Sequence, residues 1–388
     1  MRKLRVGVVY GGRSGEHEVS IASAAAIFKH LDRSRYEAVP IRIEKDGRWV
    51  LSEKAPVALS ASEVIEQQRA QVARAPRAGR DTLFIAHPSD DTLVTIERRP
   101  AEDEAAGELD RAVVTTLGLD VVFPVLHGPF GEDGTVQGLL ELGAVPYVGS
   151  GVLASAAGMD KAAMKALFAA RGLPQVSYEV LTRFEWTRDP KAASARLLAL
   201  GLPLFVKPAN LGSSVGISKV KSADALGAAL ETAFAFDRKA VVEAAVPDPR
   251  EIECAVLGND EPEASVPGEI IPSREFYDYE AKYLDSASQT IIPAQLDRPT
   301  TARIQYLSLE AFRAIDGAGM SRVDFLISRT TGTIALNEIN TIPGFTTISM
   351  FSKLWEASGV GYGTLLDRLI ALAIDRHTAK QALRTSAF

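Results

Sequence analysis

The sequence predicts an α/β protein of three domains: an N-terminal doubly wound parallel sheet followed by two α+β domains. Three observations carry that prediction. An apolar strand, Leu4–Tyr10, runs through Gly11-Gly12-Arg13-Ser14-Gly15 into a helix from about Glu16 to Leu31, the opening of a doubly wound unit. A second strand, Leu204–Lys207, ends in a Gly/Ser-rich loop. The segment Met320–Met350 reads as two strands joined at Thr331-Gly332, each alternating apolar and polar positions.

Each element has its own signal. In the first helix Val19, Ala22, Ala26 and Ile27 form an apolar stripe. Residues 50–110, rich in Ala, Arg, Gln and Glu and then acidic, read as an insertion with some helix and loop. Leu119–Leu126 is a buried strand ending at His127-Gly128. The loop Gly131-Glu132-Asp133-Gly134 leads into a helix over Thr135–Leu142. The first domain is placed at 1–152. Asp160–Arg171 is a helix stopped by Gly172 and Pro174. With the helix Ser222–Phe236 and the strand Ala240–Glu243 it completes a small domain at 153–240. The third, 241–388, holds strands near 251–257, 321–328 and 333–340, and amphipathic helices over Ile304–Ile315 and Thr364–Ile374.

Composition narrows the function. At 388 residues the chain is too long for one ordinary core. Its net charge of −6 (43 basic against 49 acidic residues) offers no support for nucleic-acid binding. Cys254 is the only cysteine, so neither an internal disulfide nor a zinc finger can form. No run of roughly 18 apolar residues exists, so no transmembrane helix is expected. The N-terminus turns polar too soon for a signal peptide, and the cytoplasm is the expected location. With 5 histidines, metal chemistry must rest on carboxylates.

The hairpin carries the strongest chemical signal. On one strand Arg322, Asp324 and Leu326 share a face; on the other, Leu336, Glu338 and Asn340 are expected to. Asp324, Glu338 and Asn340 then gather oxygen ligands that suit Mg²⁺ with substrate phosphates. Arg322 reaches a phosphate or a developing negative charge from the same face. A solvated hairpin face would show the same alternation.

The loop after Lys207, Pro208-Ala209-Asn210-Leu211-Gly212-Ser213-Ser214-Val215-Gly216, can close its backbone N–H groups over phosphate, with Lys207 as a point charge. It is not a Walker loop, because the lysine precedes the glycines; an ordinary surface turn has similar composition. Lys161 sits in the positive first turn of a helix capped by Asp160, where a cation is unfavourable unless an anion faces it. Glu243 ends a strand and Glu251 begins another, so the segment between them could meet an adenine edge and a ribose; either could equally be solvated. Glu16 opens the first helix, as a cap or as a receptor for a substrate ammonium. His127 ends a buried strand where doubly wound sheets place ligands, unless it is a core histidine. Phe276–Tyr283 reads as a loop that could serve as a lid, with Lys282 toward phosphate.

These motifs together resemble the D-alanine–D-alanine ligases of the ATP-grasp superfamily. The resemblance runs nearly the full chain in order: GGRSGEHEVS (11–20), HGPFGEDGTVQG (127–138), GSGVLASAAGMDK (149–161), VKPANLGSSVGISK (206–219), EAKYL (280–284), RVDF (322–325) and NEINTIPGFTTISM (337–350). It implies that Lys161, Lys207 and Lys282 contact ATP phosphates, with Ser213 and Ser214 in the phosphate loop. Glu243 marks the adenine hinge, where EAAVPDPRE is longer than the usual spacing, and Glu251 the ribose ligand. Asp324, Glu338 and Asn340 hold two Mg²⁺, or Mn²⁺. Arg322 and the Gly344 backbone stabilise the tetrahedral transition state. Glu16 holds the ammonium of the first D-alanine, with His127 nearby. Glu16, Ser213 and Tyr283 form a hydrogen-bonded set joining the domains. Ser349 and Met350 border the second D-alanine.

The implied reaction makes D-alanyl-D-alanine for peptidoglycan precursors by way of an acyl phosphate, in a homodimer with no nucleic-acid or membrane partner. The nearest rival is a ligase taking D-lactate or D-serine second; the family's D-lactate users depart from the Lys-Tyr lid that Lys282-Tyr283 keeps. A nicotinamide oxidoreductase is disfavoured, because Gly11-Gly12-x-x-Gly15 lacks the GxGxxG spacing. A non-catalytic ATP-binding protein should lack one of the ligands, and all are present.

Overall fold

The computed structural model describes residues 2–58, 60–71, 80–99, 111–271 and 289–384. Three sheets follow one another along the chain.

The first comprises β1 (Leu4–Gly11), β2 (Tyr36–Ile43), β3 (Trp49–Leu51), β4 (Arg80–Phe84), β5 (Leu93–Arg99), β6 (Arg111–Leu117) and β7 (Val121–Val125). Its order is β6-β5-β4-β3-β2-β1-β7. β1 runs parallel to both β2 and β7. Val8 and Val9 point to opposite faces, yet both are buried. Val8 packs with Ile21, Ile27 and Phe28 of the helix His17–His30. Val9 packs with Val136 and Leu140 of the helix Thr135–Leu142. Helices on both faces explain the unbroken apolar run of the strand. The stretch read as an insertion differs from expectation: its described residues extend the parallel trio with antiparallel strands. Polar, half-exposed strands such as Arg80–Phe84 carry little alternation for a sequence reading to find.

The second sheet is antiparallel, in the order β10-β9-β11-β8, from β8 (Tyr178–Thr182), β9 (Leu204–Pro208), β10 (Ser218–Val220) and β11 (Lys239–Ala244). Leu204, Val206 and Val242 pack on Leu197 and Leu230 from two helices. The third is built from β12 (Pro249–Gly258), β13 (Glu263–Ala264), β14 (Gly268–Ile271), β15 (Gln289–Ile291), β16 (Gly319–Ser328) and β17 (Ile334–Asn340). Its order is β15-β14-β12-β16-β17, with β13 on β12. Ile252, Cys254 and Phe325 face the helix Arg298–Ala314. Ala255, Leu257 and Met320 face the helices Met350–Ala357 and Tyr362–Gln381, which share one apolar cluster with the first sheet.

One local feature corrects the expected strand faces. Asp324 pairs with Glu338, but Phe325 pairs with Leu336, so Asn337 is an extra residue in a β-bulge. The bulge rotates the strand by one position. Leu336 is therefore buried in the core with Ile339, and does not share the face of Glu338 and Asn340. Among the described residues no single helix is long and apolar enough to cross a membrane.

Candidate active site

Three groups of side chains converge between the sheets. The first surrounds Glu16, the N-cap residue of the helix His17–His30. Its side chain makes no capping bond. It accepts instead from the Ser213 hydroxyl, across 197 positions of chain. Glu16 is 9% exposed, so this carboxylate is aimed inward rather than solvated. Two glycines make room for it: a Cβ at Gly128 would lie 2.9 Å from its Oε2, and one at Gly212 3.0 Å. Ser213 and Ser214 both hold positive φ, at 51° and 59°. Two consecutive non-glycine residues in that region are a costly backbone, of the kind kept at functional loops. A cavity of about 210 Å³ opens beside this point, at the carboxyl ends of β1 and β7, lined by Gly12, Arg13, His127 and Phe130 among others.

The second group is cationic. Asp160 caps its helix by accepting from the N–H groups of Ala162 and Ala163, each at 3.0 Å, and pairs with Lys239. The next residue, Lys161, donates to the Leu211 carbonyl of the Gly/Ser loop at 2.8 Å and lies 3.5 Å from Glu338. Lys207, at the end of β9, meets Glu243 on the neighbouring β11 at 2.6 Å and the Asn337 side-chain oxygen at 3.2 Å. Lys165 meets the other oxygen of Glu243 at 2.7 Å. Burial disfavours the Glu243 carboxylate, but Lys207 and Lys165 outweigh it and hold its pKa down to about 2. Burial works against Lys207 too, and there Glu243 and Glu338 prevail, raising it above the usual lysine range.

The third group lies on β16 and β17. The ladder sets Asp324 opposite Glu338 and Arg322 opposite Asn340. Arg322 binds Asp324 in a two-pronged pair, at 2.7 and 2.6 Å, and approaches Glu253 at 3.2 Å. Asn340 donates to Asp324 at 3.1 Å. Two carboxylates and an amide oxygen on rigid strands are the hard oxygen donors that Mg²⁺ takes, so the residues present fit that ion. Among the described residues no three His, Cys, Asp or Glu side chains are grouped to hold a metal ion, so the set depends on the Asn340 amide; Asp324 is paired with Arg322 in this arrangement.

The turn after β17 is clasped by the first sheet. Ile342 donates its N–H to Glu132 at 3.2 Å, and its carbonyl lies 3.1 Å from Nδ1 of His127. Glu132 also accepts from the Gly128 N–H at 2.7 Å. Ser23 accepts from the Phe345 N–H at 3.2 Å and lies 3.3 Å from Nε2 of His127. Both ring nitrogens of His127 are thus engaged within the protein, and burial lowers its pKa, which favours the neutral ring. Gly344 lies between these anchors. A Cβ there would come within 2.8 Å of the Ser349 hydroxyl. Ser349 is the N-cap of the helix Met350–Ala357 and its hydroxyl meets that of Thr346 at 2.7 Å. The Met350 side chain is buried in the apolar core, so only its backbone borders the turn.

Glu251 is half-buried near the start of β12, close enough to act electrostatically on Lys207. Lys282 and Tyr283 lie outside the described residues. Sequence reasoning missed Lys165, Asn337, Glu132, Ser23 and Glu253. Only Lys165 carried a signal, its spacing one helical turn from Lys161.

Comparison with known proteins agrees with this geometry. The D-ala D-ala ligase N-terminus family matches residues 5–150, and the D-ala D-ala ligase C-terminus family residues 167–371. A D-alanine–D-alanine ligase of Heliobacterium modesticaldum is 49% identical over 98% of this chain and 97% of its own. The solved D-alanine–D-alanine ligase from Coxiella burnetii superposes with a TM-score of 0.79 at 37% identity, covering 98% of this chain and 97% of that one. The VanG D-Ala:D-Ser ligase from Enterococcus faecalis also superposes at 0.79, with 32% identity over 96% of this chain and 100% of that one. Fold and site define an ATP-dependent ligase of the ATP-grasp class. Within that class, the chain belongs to the D-alanine–D-alanine ligase family.

Proposed function

We propose that this enzyme joins two molecules of D-alanine into D-alanyl-D-alanine, converting ATP to ADP and phosphate. One observation carries the reading: the phosphate lysine Lys161 stands 3.5 Å from Glu338, so the cationic loop and the carboxylate strands face one cleft. The reaction begins with phosphoryl transfer from ATP to the carboxylate of the first D-alanine, whose ammonium Glu16 receives. Lys161, Lys207 and Lys282 spread the charge of the phosphates. Asp324, Glu338 and Asn340 would hold two Mg²⁺ or Mn²⁺, which supply further charge neutralisation when bound. The acyl phosphate formed is destroyed by water, which gives the Lys282-Tyr283 segment its purpose as a lid. The neutral amine of the second D-alanine, its carboxylate held near Ser349, attacks the acyl carbon. Arg322 and the Gly344 N–H stabilise the oxyanion, phosphate leaves, and the dipeptide remains.

The same reading divides the chain into domains at 1–152, 153–240 and 241–388, and makes the enzyme a cytoplasmic homodimer serving peptidoglycan synthesis. The likeness to a D-Ala:D-Ser ligase keeps D-serine as a second candidate nucleophile. ADP release from Mg-ATP, with D-alanine, L-alanine, D-serine and D-lactate offered singly and in pairs and the product weighed by mass spectrometry, tests both. Turnover with D-alanine alone is expected. Turnover only in a mixed pair changes the second substrate, and no turnover with any removes the ligase reading.

A further inference from the structure

Lys165 lies on the helix Lys161–Ala170, one turn beyond Lys161 and on the same side of it. Its side chain is 1% exposed, and no step above uses it. One carboxylate, that of Glu243, serves both Lys165 and Lys207, one oxygen to each, at 2.7 and 2.6 Å. Lys207 and Glu243 are fixed relative to each other by the ladder, in which Lys207 pairs with Val241 two positions before Glu243. The Lys165 ammonium also stands 5.2 Å from the centre of the Tyr178 ring.

We propose that Lys165 is a positioning residue of the nucleotide site: it shares the Glu243 carboxylate, so that Lys207 keeps its place and Glu243 does not cancel its field toward ATP. The inference rests on the reading of Lys207 as a phosphate ligand. The charges around Lys207 show why a second lysine is needed. Among the described residues, Lys165 and Lys207 meet Glu243, Lys161 meets Glu338, and both Glu338 and Glu251 act on Lys207. Without Lys165 the group loses one positive charge next to a polyanionic substrate, and Glu243 spends its whole charge on Lys207. Burial pulls the Lys165 ammonium below its usual range, and Glu243 opposes that shift.

The test is the KM for ATP in Lys165→Met, in Lys165→Arg, in Glu243→Gln, in the double variant of Lys165→Met with Glu243→Gln, and in Lys207→Met. Lys165→Met is expected to raise the KM for ATP about tenfold with the KM for D-alanine within about twofold, because the lost interaction belongs to nucleotide binding. Lys165→Arg should recover most of that loss. Because Lys165 and Glu243 act through one ion pair, the double variant should raise the KM for ATP by clearly less than the product of the two single effects. A Lys165→Met enzyme with normal KM for ATP, or one whose KM values for ATP and D-alanine rise together, overturns the proposal. Should Lys165→Met fail to fold, Lys165→Gln takes its place, a KM for ATP within about twofold of the wild type being the overturning result. Lys207→Met separates the two readings: if it leaves the KM for ATP unchanged, Lys207 is not a phosphate ligand, whereas a large effect there with none at Lys165 removes only the role of Lys165.

Discussion

The Ser213 hydroxyl donates to the Glu16 carboxylate, joining the Gly/Ser loop after β9 to the first turn of the first helix. A residue of the proposed nucleotide loop and the residue proposed to receive the amino-acid ammonium are therefore one hydrogen bond apart. Ser213 holds a positive φ to make that contact. A backbone of this kind persists only where the surroundings compensate it, and Glu16 is the compensation.

Ser213→Ala leaves Glu16 inward-facing with one fewer donor. A hydrogen bond to a charged group contributes about 1.5–3 kcal/mol, so kcat/KM for D-alanine should fall roughly ten- to hundredfold. Glu16→Gln should act mainly on the KM of the first D-alanine, because a neutral amide cannot match an ammonium. Steady-state kinetics at two ATP concentrations separate the effects. An unchanged KM for the first D-alanine in Glu16→Gln removes that role.

Glu338→Gln should abolish measurable turnover, since it removes a carboxylate from the proposed Mg²⁺ set and the anion 3.5 Å from Lys161. Several kcal/mol of charge stabilisation is at stake, which is more than about a hundredfold in rate. Circular dichroism should show an intact fold, because Glu338 is partly exposed on the strand face. Near-normal turnover across a Mg²⁺ titration would count decisively against the metal assignment.

Glu132 predicts a pH dependence of stability. Desolvation, reinforced by the neighbouring Glu16, pushes its pKa to about 8, despite two backbone N–H donors that favour the charged form. In the unfolded chain the group titrates at its ordinary value of 4.5. Because the folded state holds this proton more tightly, its contribution is complete below the unfolded value. It is lost as pH rises from there through about 8. Glu132→Gln cannot titrate, so the decline in stability over that window should be shallower than in the wild type. At pH 5, where the wild-type contribution is close to complete, the variant should be about 1 kcal/mol less stable, because the amide oxygen accepts only one of the two backbone bonds. Urea unfolding between pH 5 and pH 9 measures both. Parallel curves for the two proteins rule out the titration of Glu132 as the cause.

Much of this site is legible from local signals. Glycine turns, a lysine at a strand end and a carboxylate and an amide spaced by two on a strand each have a physical meaning in isolation. What escaped reading depends on distant partners. Lys165 looks like any solvated helix lysine until β11 brings Glu243 to it. Glu132 sits between glycines in a loop and has no period to reveal it. Its function lies in reaching the Ile342 peptide, 210 positions away. The bulge at Asn337 is invisible because alternation presumes an unbroken ladder, and only the burial of both Leu336 and Ile339 exposes the break. The antiparallel strands beyond β2 escaped for the opposite reason: as half-exposed strands they carry mixed side chains that satisfy no single pattern.

Phe345 couples the core to the chemistry most directly. Its ring is fully buried, with centres 5.6 Å from Phe123, 5.4 Å from Phe351 and 6.4 Å from Tyr362. Its backbone is held at both ends, the N–H by Ser23 and the carbonyl by the Tyr362 hydroxyl at 2.6 Å. It directly follows Gly344, whose N–H is assigned to the oxyanion. Phe345→Ala should cost about 3–5 kcal/mol through lost burial and the cavity left behind. Phe345→Leu, which keeps most of the apolar volume, should cost less than about 1.5 kcal/mol. In the leucine variant the fold survives but Gly344 loses its rigid neighbour. The prediction there is a fall in kcat with the KM for ATP unchanged, because the Gly/Ser loop and Lys207 lie on a different sheet. Thermal unfolding gives the stability of each variant, and kinetics on Phe345→Leu gives the split. A leucine variant with full kcat shows that Gly344 is positioned by its hydrogen-bonded anchors alone.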